Sequence, residues 1–491
     1  MNPSQVTGPD TTGPDGARPD GVPAPLGNGL KVRHLTMMGL GSAIGAGLFL
    51  GTGVGIAKAG PAVLISYLIA GLIVISVMRM LGEMGAAVPA SGSFSEYARI
   101  GIGEWAGFTM GWLYWVMLIM VLGAEITGAS AIVSGWLPAV PQWAIALVFV
   151  TFFAVVNLSK VGNFGEFEFW FAAIKVAVIV GFLVLGVLVI FGVLPHTDPA
   201  GFTHFLGDGG FMPNGIGGVA AGLLVVAFAF GGIEIVTIAA AESEDPERSI
   251  ATAVRSVVWR ISVFYLGAVA IMVFVLPWHS ADSGTGPFVA VLDQAHLPMV
   301  SGLMEVVVVI ALLSAFNANV YGTSRMAYSL ALRGDGPRVL TRLSRTGVPS
   351  AAVWLSVFFG FVSVLLNWLL PDQLLSILLN AVGSALLVIW VFIAVAQLRL
   401  RPRLERAGTL PVRMWGHPYL TWLTLAALGG LIALMATDAD ARKQLLSTLV
   451  LFAVIAFCGV VTARRRRRRS NDSQANHGQA DHPLAADRSP V

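Results

Sequence analysis

Long apolar stretches recur along most of the chain and are separated by short polar segments. Each stretch has roughly 18 residues or more, which is enough for a helix to cross about 30 Å of hydrocarbon. In chain order they cover or start near positions 36–57, 61–82, 103–134, 142–157, 167–193, 217–241, 257–278, 300–332, 351, 373, 420 and 445. The pattern predicts an all-α integral membrane protein with about twelve transmembrane helices.

The composition agrees with a membrane protein. Charged residues make up 12% of the chain and hydrophobic residues 56%, whereas a soluble protein is about 25% charged. We expect a disordered cytoplasmic tail over 1–30, a transmembrane domain over 31–463, and a polybasic, disordered cytoplasmic tail over 464–491. The single cysteine, Cys458, excludes a disulfide framework and a cysteine-based metal site. No metal or other cofactor and no nucleic-acid partner is expected.

The basic residues predict the orientation. Loops assigned to the outer side hold only Lys58, Arg442 and Lys443 of the 30 Lys and Arg residues. Cytoplasmic loops carry an excess of Lys and Arg, so both termini are predicted to lie inside a multi-pass protein of the cytoplasmic (inner) membrane. The tract from Arg464 to Arg469 is expected to bind anionic lipid of the bilayer, at about 1 kcal/mol per arginine.

The apolar runs fall into two groups of five, followed by two more. The first group covers about 36–193, the second about 217–398, and the extra helices about 419–463. An odd number of helices per half makes the second half inverted, as in many secondary transporters whose site lies between corresponding broken helices. The grouping therefore predicts a five-plus-five inverted repeat plus two C-terminal helices.

Runs one and six occupy corresponding positions, and both are interrupted by glycines. Each interior glycine costs a helix about 1 kcal/mol relative to alanine, and unwinding frees backbone groups that a zwitterionic solute can satisfy. Close packing of helices through small residues is the alternative explanation. The interrupted segments, between which a substrate site is predicted, include Ser42, Ala43, Ile44, Gly45, Ala46 and Gly47 in run one and Phe228, Ala229, Phe230, Gly231 and Gly232 in run six.

Several motifs together resemble the amino acid–polyamine–organocation superfamily, and within it bacterial amino-acid permeases, most similarly the GABA permeases. They are the glycine segment 39–53, Arg79-Met-Leu-Gly-Glu83-Met, Ala87-Val-Pro89-Ala-Ser-Gly92, Phe167-Glu168-Phe-Trp170 through Lys175, Gly232-Ile-Glu234 and Trp259-Arg-Ile-Ser. The resemblance implies an inverted repeat of the LeuT type and uptake of an amino acid together with a proton. It also implies that the substrate carboxylate meets the backbone at Gly45, Ala46 and Gly47, and the ammonium meets carbonyls near Ala43, Ile44, Phe228 and Ala229. Position 46 is alanine where relatives often have a hydroxyl residue.

Three charged residues lie at predicted membrane depth, where a charge is expensive and usually functional. Lys175 is predicted to take part in proton coupling, with a salt-bridge anchor as the alternative. Glu125 is a candidate for proton coupling or for binding the amine, and a structural hydrogen bond is an equal alternative. Glu234 stands beside the run-six break, where capping of freed N–H groups competes with gating or coupling.

The function that follows is secondary active transport of an amino acid, GABA or a related one, by proton-coupled uptake and alternating access. An amino-acid exchanger on the same scaffold remains open. The sequence contains no constellation of a membrane enzyme, such as a His-Glu-x-x-His metal site, so the chain is not predicted to be an enzyme.

Overall fold

A computed structural model of the chain describes most of its residues. The described positions are 44–88, 93–158, 164–194, 199, 202–231, 234, 248, 252, 254–255, 258–259, 261–280, 286–294, 296, 298–344, 347–371, 373–408, 410–437 and 439–480. The predicted tail 1–30 and the predicted site residues Ser42, Ala43 and Gly232 lie outside them.

The first part of the chain begins with a π-helical turn, Gly47–Gly51, that continues directly into helix α1. The α-helices up to residue 194 are α1 (Thr52–Ala59), α2 (Val63–Ala87), α3 (Ser93–Gly101), α4 (Glu104–Trp136), α5 (Gln142–Leu158) and α6 (Phe164–Ile190). A 3-10 turn, Gly60–Ala62, lies between α1 and α2.

The second part contains α7 (Gly215–Ala229), α8 (Leu266–Val275), α9 (Pro287–Gln294), α10 (Pro298–Leu332), α11 (Ser350–Leu369) and α12 (Leu374–Arg406). Two π-helical turns, Thr203–Gly207 and Ile261–Tyr265, precede α7 and α8, and a 3-10 turn, Arg338–Thr341, precedes α11. The last helices are α13 (Tyr419–Thr437) and α14 (Ala439–Ala480). Helix α14 thus runs through the arginine tract and on to Ala480.

The prediction of an all-helical membrane fold is confirmed: the described part of the chain contains no β-strand. In it, eight helical spans are long and apolar enough to cross a membrane: Gly47–Ala87, Glu104–Trp136, Phe169–Ile190, Met299–Leu332, Ser350–Leu369, Leu374–Arg406, Tyr419–Thr437 and Arg442–Arg466. Three shorter apolar helices are Gln142–Leu158, Gly215–Ala229 and Ile261–Val275. The count of twelve and the inverted repeat stay predictions.

Gly60 divides the first of these spans into two helices. Its φ of +62° lies in the left-handed region that favours glycine, and a Cβ there would lie 2.5 Å from Pro213 Cγ. The chain therefore leaves α1 at Gly60 and begins α2 at Val63, so that two predicted runs become two helices.

Burial places α4 at the centre of the bundle and α14 at its edge. The most apolar window of α4 is 72% buried, whereas that of the span Arg442–Arg466 is 17% buried. Helix α14 contacts α4 through Gly459, where a Cβ would lie 2.9 Å from the carbonyl oxygen of Trp105, and the neighbouring Cys458 is exposed.

Candidate substrate site at a helix break

The first helix starts inside the protein, at a fully buried position. Gly45 has a bent backbone, and its carbonyl accepts the N–H groups of Leu48 and Phe49, both at 3.2 Å. The first N–H groups of a helix have no acceptor within the helix, and this end carries a partial positive charge. The backbone at Gly45, Ala46 and Gly47 is therefore suited to bind a carboxylate.

Helix α7 ends inside the protein as well. It stops at Ala229, after which the N–H of Gly231 donates to the Phe228 carbonyl at 2.8 Å. The apolar run continues to about position 241, so the helix ends well before the apolar run does. The last carbonyls of a helix carry a partial negative charge, which suits them to bind an ammonium group.

These two helix ends touch. A Cβ at Gly47 would lie 2.6 Å from Ala229 Cα and 3.0 Å from the Ala229 oxygen, and a Cβ at Gly51 would lie 3.4 Å from the Phe228 ring. Because the obstacle at Gly47 is backbone, it cannot rotate away. The positive end of one helix therefore meets the negative end of another, and glycine is what permits the contact.

Glu125 of α4 lies beside the same break. It is 3% exposed, and a Cβ at Gly45 would lie 2.7 Å from Glu125 Oε1 and 3.2 Å from Ala315 Cβ. Its other oxygen, Oε2, accepts a hydrogen bond from Asn319 Nδ2 of α10 at 2.9 Å. A buried carboxylate is thus held between the start of the first helix and α10.

Glu234 and Lys175 lie at two other buried positions. Glu234 follows the end of α7 and accepts a hydrogen bond from Trp390 Nε1 of α12 at 2.7 Å. Lys175 is fully buried on α6, which packs against α8 and α10.

Hydroxyl groups of neighbouring residues form hydrogen bonds at the two helix ends of the break. The Tyr265 hydroxyl donates to the Ala229 carbonyl at 3.1 Å, and Thr52 Oγ1 donates to the Leu48 carbonyl at 2.6 Å. The Tyr67 hydroxyl is hydrogen-bonded to Thr52 at 2.9 Å. These bonds fix the end of α7 and the start of the first helix to their neighbours.

A cavity of about 650 Å³ lies against the first helix, at the end of the bundle where α4 ends and α10 begins. Phe49 lines it on one side and Phe288 of α9 on another, and their rings are 4.9 Å apart. Asp293, Glu305 and Trp136 also line it. The lining of the cavity therefore combines acidic and aromatic side chains, and Phe49 lies about one helical turn from the break.

The opposite end of the bundle, which we call the inner end, is closed by ion pairs. Glu83 of α2 is fully buried and accepts hydrogen bonds from Arg401 Nη1 and Gln397 Nε2 of α12, both at 2.7 Å, and from the N–H of Met414. Arg401 also pairs with Glu405. A carboxylate without water needs such partners, and here they join α2, α12 and the segment before α13.

A second ion-pair network at the inner end uses the arginine tract. Arg466 Nη2 donates to Asp335 Oδ1 at 2.8 Å and to the carbonyl of Arg333 at 2.9 Å. Arg333 in turn donates to Ser95 Oγ of α3 at 2.9 Å. Burial raises the pKa of the Asp335 carboxyl above its usual value, although Arg466 and Arg333 oppose the shift. One arginine of the tract is therefore bound to protein.

The structure brings together the predicted residues Ile44, Gly45, Ala46 and Gly47 with Phe228, Ala229, Phe230 and Gly231, and it adds Glu125 to them. Sequence reasoning missed Asn319, Tyr265 and Trp390. The pair Asn317 and Asn319 inside an otherwise apolar run was a visible signal. Nothing in the sequence distinguishes Tyr265 or Trp390 from other aromatic residues.

The family follows from comparison with known proteins. Residues 34–473 match the model of the family described as amino acid permease. The chain belongs to this family. The resemblance inferred from the motifs is thereby confirmed, and the permease is a multi-pass membrane transporter of amino acids rather than an enzyme.

The permease is similar to transporters with two kinds of cargo in their names. It is 58% identical to the aromatic amino acid transport protein AroP of Corynebacterium glutamicum over 442 residues, which are 89% of this chain and 95% of that protein. It is 44% identical to the gamma-aminobutyric acid permease of Bacillus subtilis, over 91% of this chain and 95% of that protein. It is 42% identical to the gamma-aminobutyric acid permease of Escherichia coli K12, over 89% and 94%.

Proposed function

We propose that the permease takes up an amino acid together with a proton across the cytoplasmic membrane, by alternating access around the helix break. The observation that carries the proposal is the contact between the start of the first helix at Gly47 and the end of α7 at Ala229. A zwitterion offers one charge to each of these ends. In this proposal the two helices belong to inverted five-helix halves, both termini are cytoplasmic, and twelve helices cross the membrane.

The substrate carboxylate binds the N–H groups at Gly45, Ala46 and Gly47, and its ammonium binds carbonyls at the end of α7. Ala46 contributes no hydroxyl, so the carboxylate is bound by backbone groups alone at this position. Backbone groups fixed by packing need little reorganisation when the substrate binds. The residues Ser42, Ala43 and Gly232 complete the proposed site.

Coupling to protons is assigned to buried ionisable groups near the site. Glu125 is the first of these, since its carboxylate lies against Gly45 and can exchange a proton as the substrate enters or leaves. Lys175 and Glu234 are the other two. Their burial supports a functional role, because a charged group at membrane depth is costly.

Aromatic amino acids are the cargo that we favour. The relative that is 58% identical carries them by its name, whereas the relatives named for GABA are 44% and 42% identical. Phe49 and Phe288, which line the cavity, are apolar and suited to pack against an aromatic side chain. GABA is the second candidate.

Anionic lipid is proposed to bind the arginine tract, except at Arg466. Arg464 and Arg465 are exposed beside it, so their charges can reach lipid head groups at the inner end.

The test is uptake of labelled tryptophan, phenylalanine and GABA into proteoliposomes with an imposed pH gradient. We expect tryptophan to accumulate when the outside is more acidic, and the accumulation to collapse when a proton carrier dissipates the gradient. Uptake that ignores the gradient but requires unlabelled amino acid inside would instead establish exchange. Transport of neither amino-acid class in either mode would overturn the proposal.

A further inference from the structure

Asn319 is a hydrogen-bond partner of the Glu125 carboxylate beside the break. Its side chain is 4% exposed and that of Glu125 is 3% exposed, so neither group is in contact with bulk water. Asn319 Nδ2 donates to Glu125 Oε2 at 2.9 Å. An ionised Glu125 can only accept hydrogen bonds, and the Asn319 amide N–H supplies one of them.

The other polar atom of the same amide, Asn319 Oδ1, has no hydrogen-bond partner within the described part of the chain. Buried polar atoms without a partner are rare in proteins and require an explanation. An amide oxygen is an acceptor, and a protonated carboxyl group has one O–H to donate. Oδ1 is therefore free to accept the O–H of a protonated Glu125 once the amide turns toward it.

We propose that Asn319 is a positioning residue for proton coupling: it binds Glu125 in both protonation states, donating Nδ2–H to the carboxylate and accepting the carboxyl O–H on Oδ1. A half-rotation of the amide about χ2 exchanges the two atoms, and this torsion is broad and roughly two-fold in asparagine. The proton adds to a Glu125 oxygen and leaves from it, and no other covalent bond changes. The inference rests on the proposed role of Glu125 as a proton site.

Other ionisable groups face Glu125 from the elements that pack on α4. By position in the sequence, the ionisable residues on α4 and on the helices packed against it are Glu104 and Tyr114 on α4 itself, Glu305, Tyr321, Arg325 and Tyr328 on α10, Glu96, Tyr97 and Arg99 on α3, Arg399, Arg401, Arg403, Glu405 and Arg406 on α12, and Arg442, Lys443, Cys458 and the arginine tract on α14. Helices α5 and α11 carry none. On α10, Arg325 is six residues from Asn319, about 9 Å along the helix, and Lys175 lies on α6, which packs against α10.

The test compares asparagines on the same helix. Asn319→Leu removes both the donor and the acceptor at Glu125. Asn317→Leu is the control, because Asn317 is also buried and its Oδ1 accepts a hydrogen bond from Asn157 Nδ2 at 2.8 Å, away from Glu125. For each variant the initial rate of tryptophan uptake into proteoliposomes is measured against external pH.

We expect Asn319→Leu to move the half-maximal pH of uptake to more alkaline values by about one unit, because a hydrogen bond to a charged acceptor is about twice as strong as one between neutral groups. Losing both bonds therefore favours the protonated form. Asn317→Leu should change the rate but leave the half-maximal pH in place. An unchanged half-maximal pH in Asn319→Leu, or an equal shift in both variants, would overturn the proposal.

Asn319→Asp provides a second variant of the same size in case the leucine variant does not fold. Two adjacent carboxyl groups share a proton at neutral pH, so this variant should move the half-maximal pH further in the alkaline direction. A wild-type profile for Asn319→Asp contradicts the proposal just as firmly.

Glu125→Gln separates the failure of this inference from the failure of the proposed function. A flat pH profile in Glu125→Gln with a wild-type profile in Asn319→Leu leaves Glu125 as the proton site and removes only the role of Asn319. A wild-type profile in Glu125→Gln removes Glu125 as the proton site, and the role of Asn319 with it. Lys175→Met then tests whether Lys175 carries the pH dependence.

Discussion

The helix break and the inner end of the bundle both hold polar groups away from water, but they satisfy them differently. At the inner end, the Glu83 carboxylate accepts hydrogen bonds from two side chains and one backbone N–H. At the break, the polar groups are the ends of two helices. The Tyr265 hydroxyl donates to the Ala229 carbonyl, while Gly47 and Ala229 have no polar side chain of their own. The Glu83 carboxylate thus has its hydrogen-bond partners within the protein, whereas in the proposed function the backbone groups at the break bind the substrate.

This difference leads us to assign the inner end to the stability of the fold and the break to binding of the substrate. A satisfied network of charges rigidifies the helices that it joins, and the Glu83 network joins α2, α12 and the segment before α13. Contacts made by glycine and alanine, in contrast, allow helices to approach closely. We therefore expect substitutions at the inner end to affect stability and substitutions at the break to affect transport.

Removal of the Glu83 carboxylate should have the largest effect. Glu83→Ala leaves Arg401 buried without its main partner, which costs about 3–5 kcal/mol for a buried pair. The measurement is the unfolding midpoint of the purified permease in detergent. Glu405→Ala is the control, since Glu405 pairs with the same arginine but is 51% exposed, and its loss should lower the midpoint far less. An equal decrease of the unfolding midpoint in the two variants would show that the burial of Glu83 does not determine how much its ion pair with Arg401 stabilises the fold.

A methyl group at Gly47 should strongly reduce transport. The Cβ of Gly47→Ala would lie 2.6 Å from Ala229 Cα, so the two helix ends must separate, and a displacement of about 1 Å at a site can cost about 100-fold in rate. The matched control is Gly181→Ala on α6, where a Cβ has no neighbour within 4 Å. The measurement is the initial uptake rate of each variant, corrected for the amount of protein in the membrane. Normal uptake by Gly47→Ala would mean that the contact is not needed.

Loss of Arg466 should have a moderate effect on the inner end. Arg466→Ala removes the ion pair with Asp335 and the bond to the Arg333 carbonyl, which we expect to lower stability by about 1 kcal/mol. Arg465→Ala removes an exposed neighbour with the same charge and should leave stability unchanged. If both variants lower the unfolding midpoint equally, the tract acts through its total charge instead of through Arg466.

The smallest effect concerns pH. Burial and the nearby Arg401 lower the pKa of His417 below its usual value of 6.5. The unfolded chain therefore takes up the proton first as the pH falls, and stability decreases below about pH 6.5. In His417→Gln this part of the decrease should disappear, as followed by the unfolding midpoint across the acid range. An identical acid slope in both proteins would assign the decrease to other groups.

Sequence reasoning reached the elements of the break because glycine leaves a strong mark in an apolar helix. The segments around Gly45 and Gly231 were visible as runs of residues that weaken a helix, and Glu125 stood out as a charge in an apolar run. Which residues would touch was not visible: nothing in the order of residues states that Asn319 meets Glu125 or that Tyr265 meets Ala229. Such contacts join positions far apart in the chain and depend on how whole helices pack.

The contacts at the inner end could not be predicted from the sequence either. Glu83 was noted only as part of a motif, since a glutamate near a helix end looks like a solvated charge. Its full burial depends on the segment that ends at Met414, which folds back over it. The arginine tract was predicted as a lipid anchor by its composition, and composition cannot single out the one arginine that reaches Asp335.

The position of Cys458 has a practical consequence for spectroscopy. It is the only cysteine in the sequence and its side chain is exposed, whereas Gly459 next to it is pressed against α4. A single fluorophore or spin label can therefore be attached without any mutation, on a helix that is fixed to the centre of the bundle. Distances from this label to a second one engineered on another helix would report directly how far that helix moves during a transport cycle.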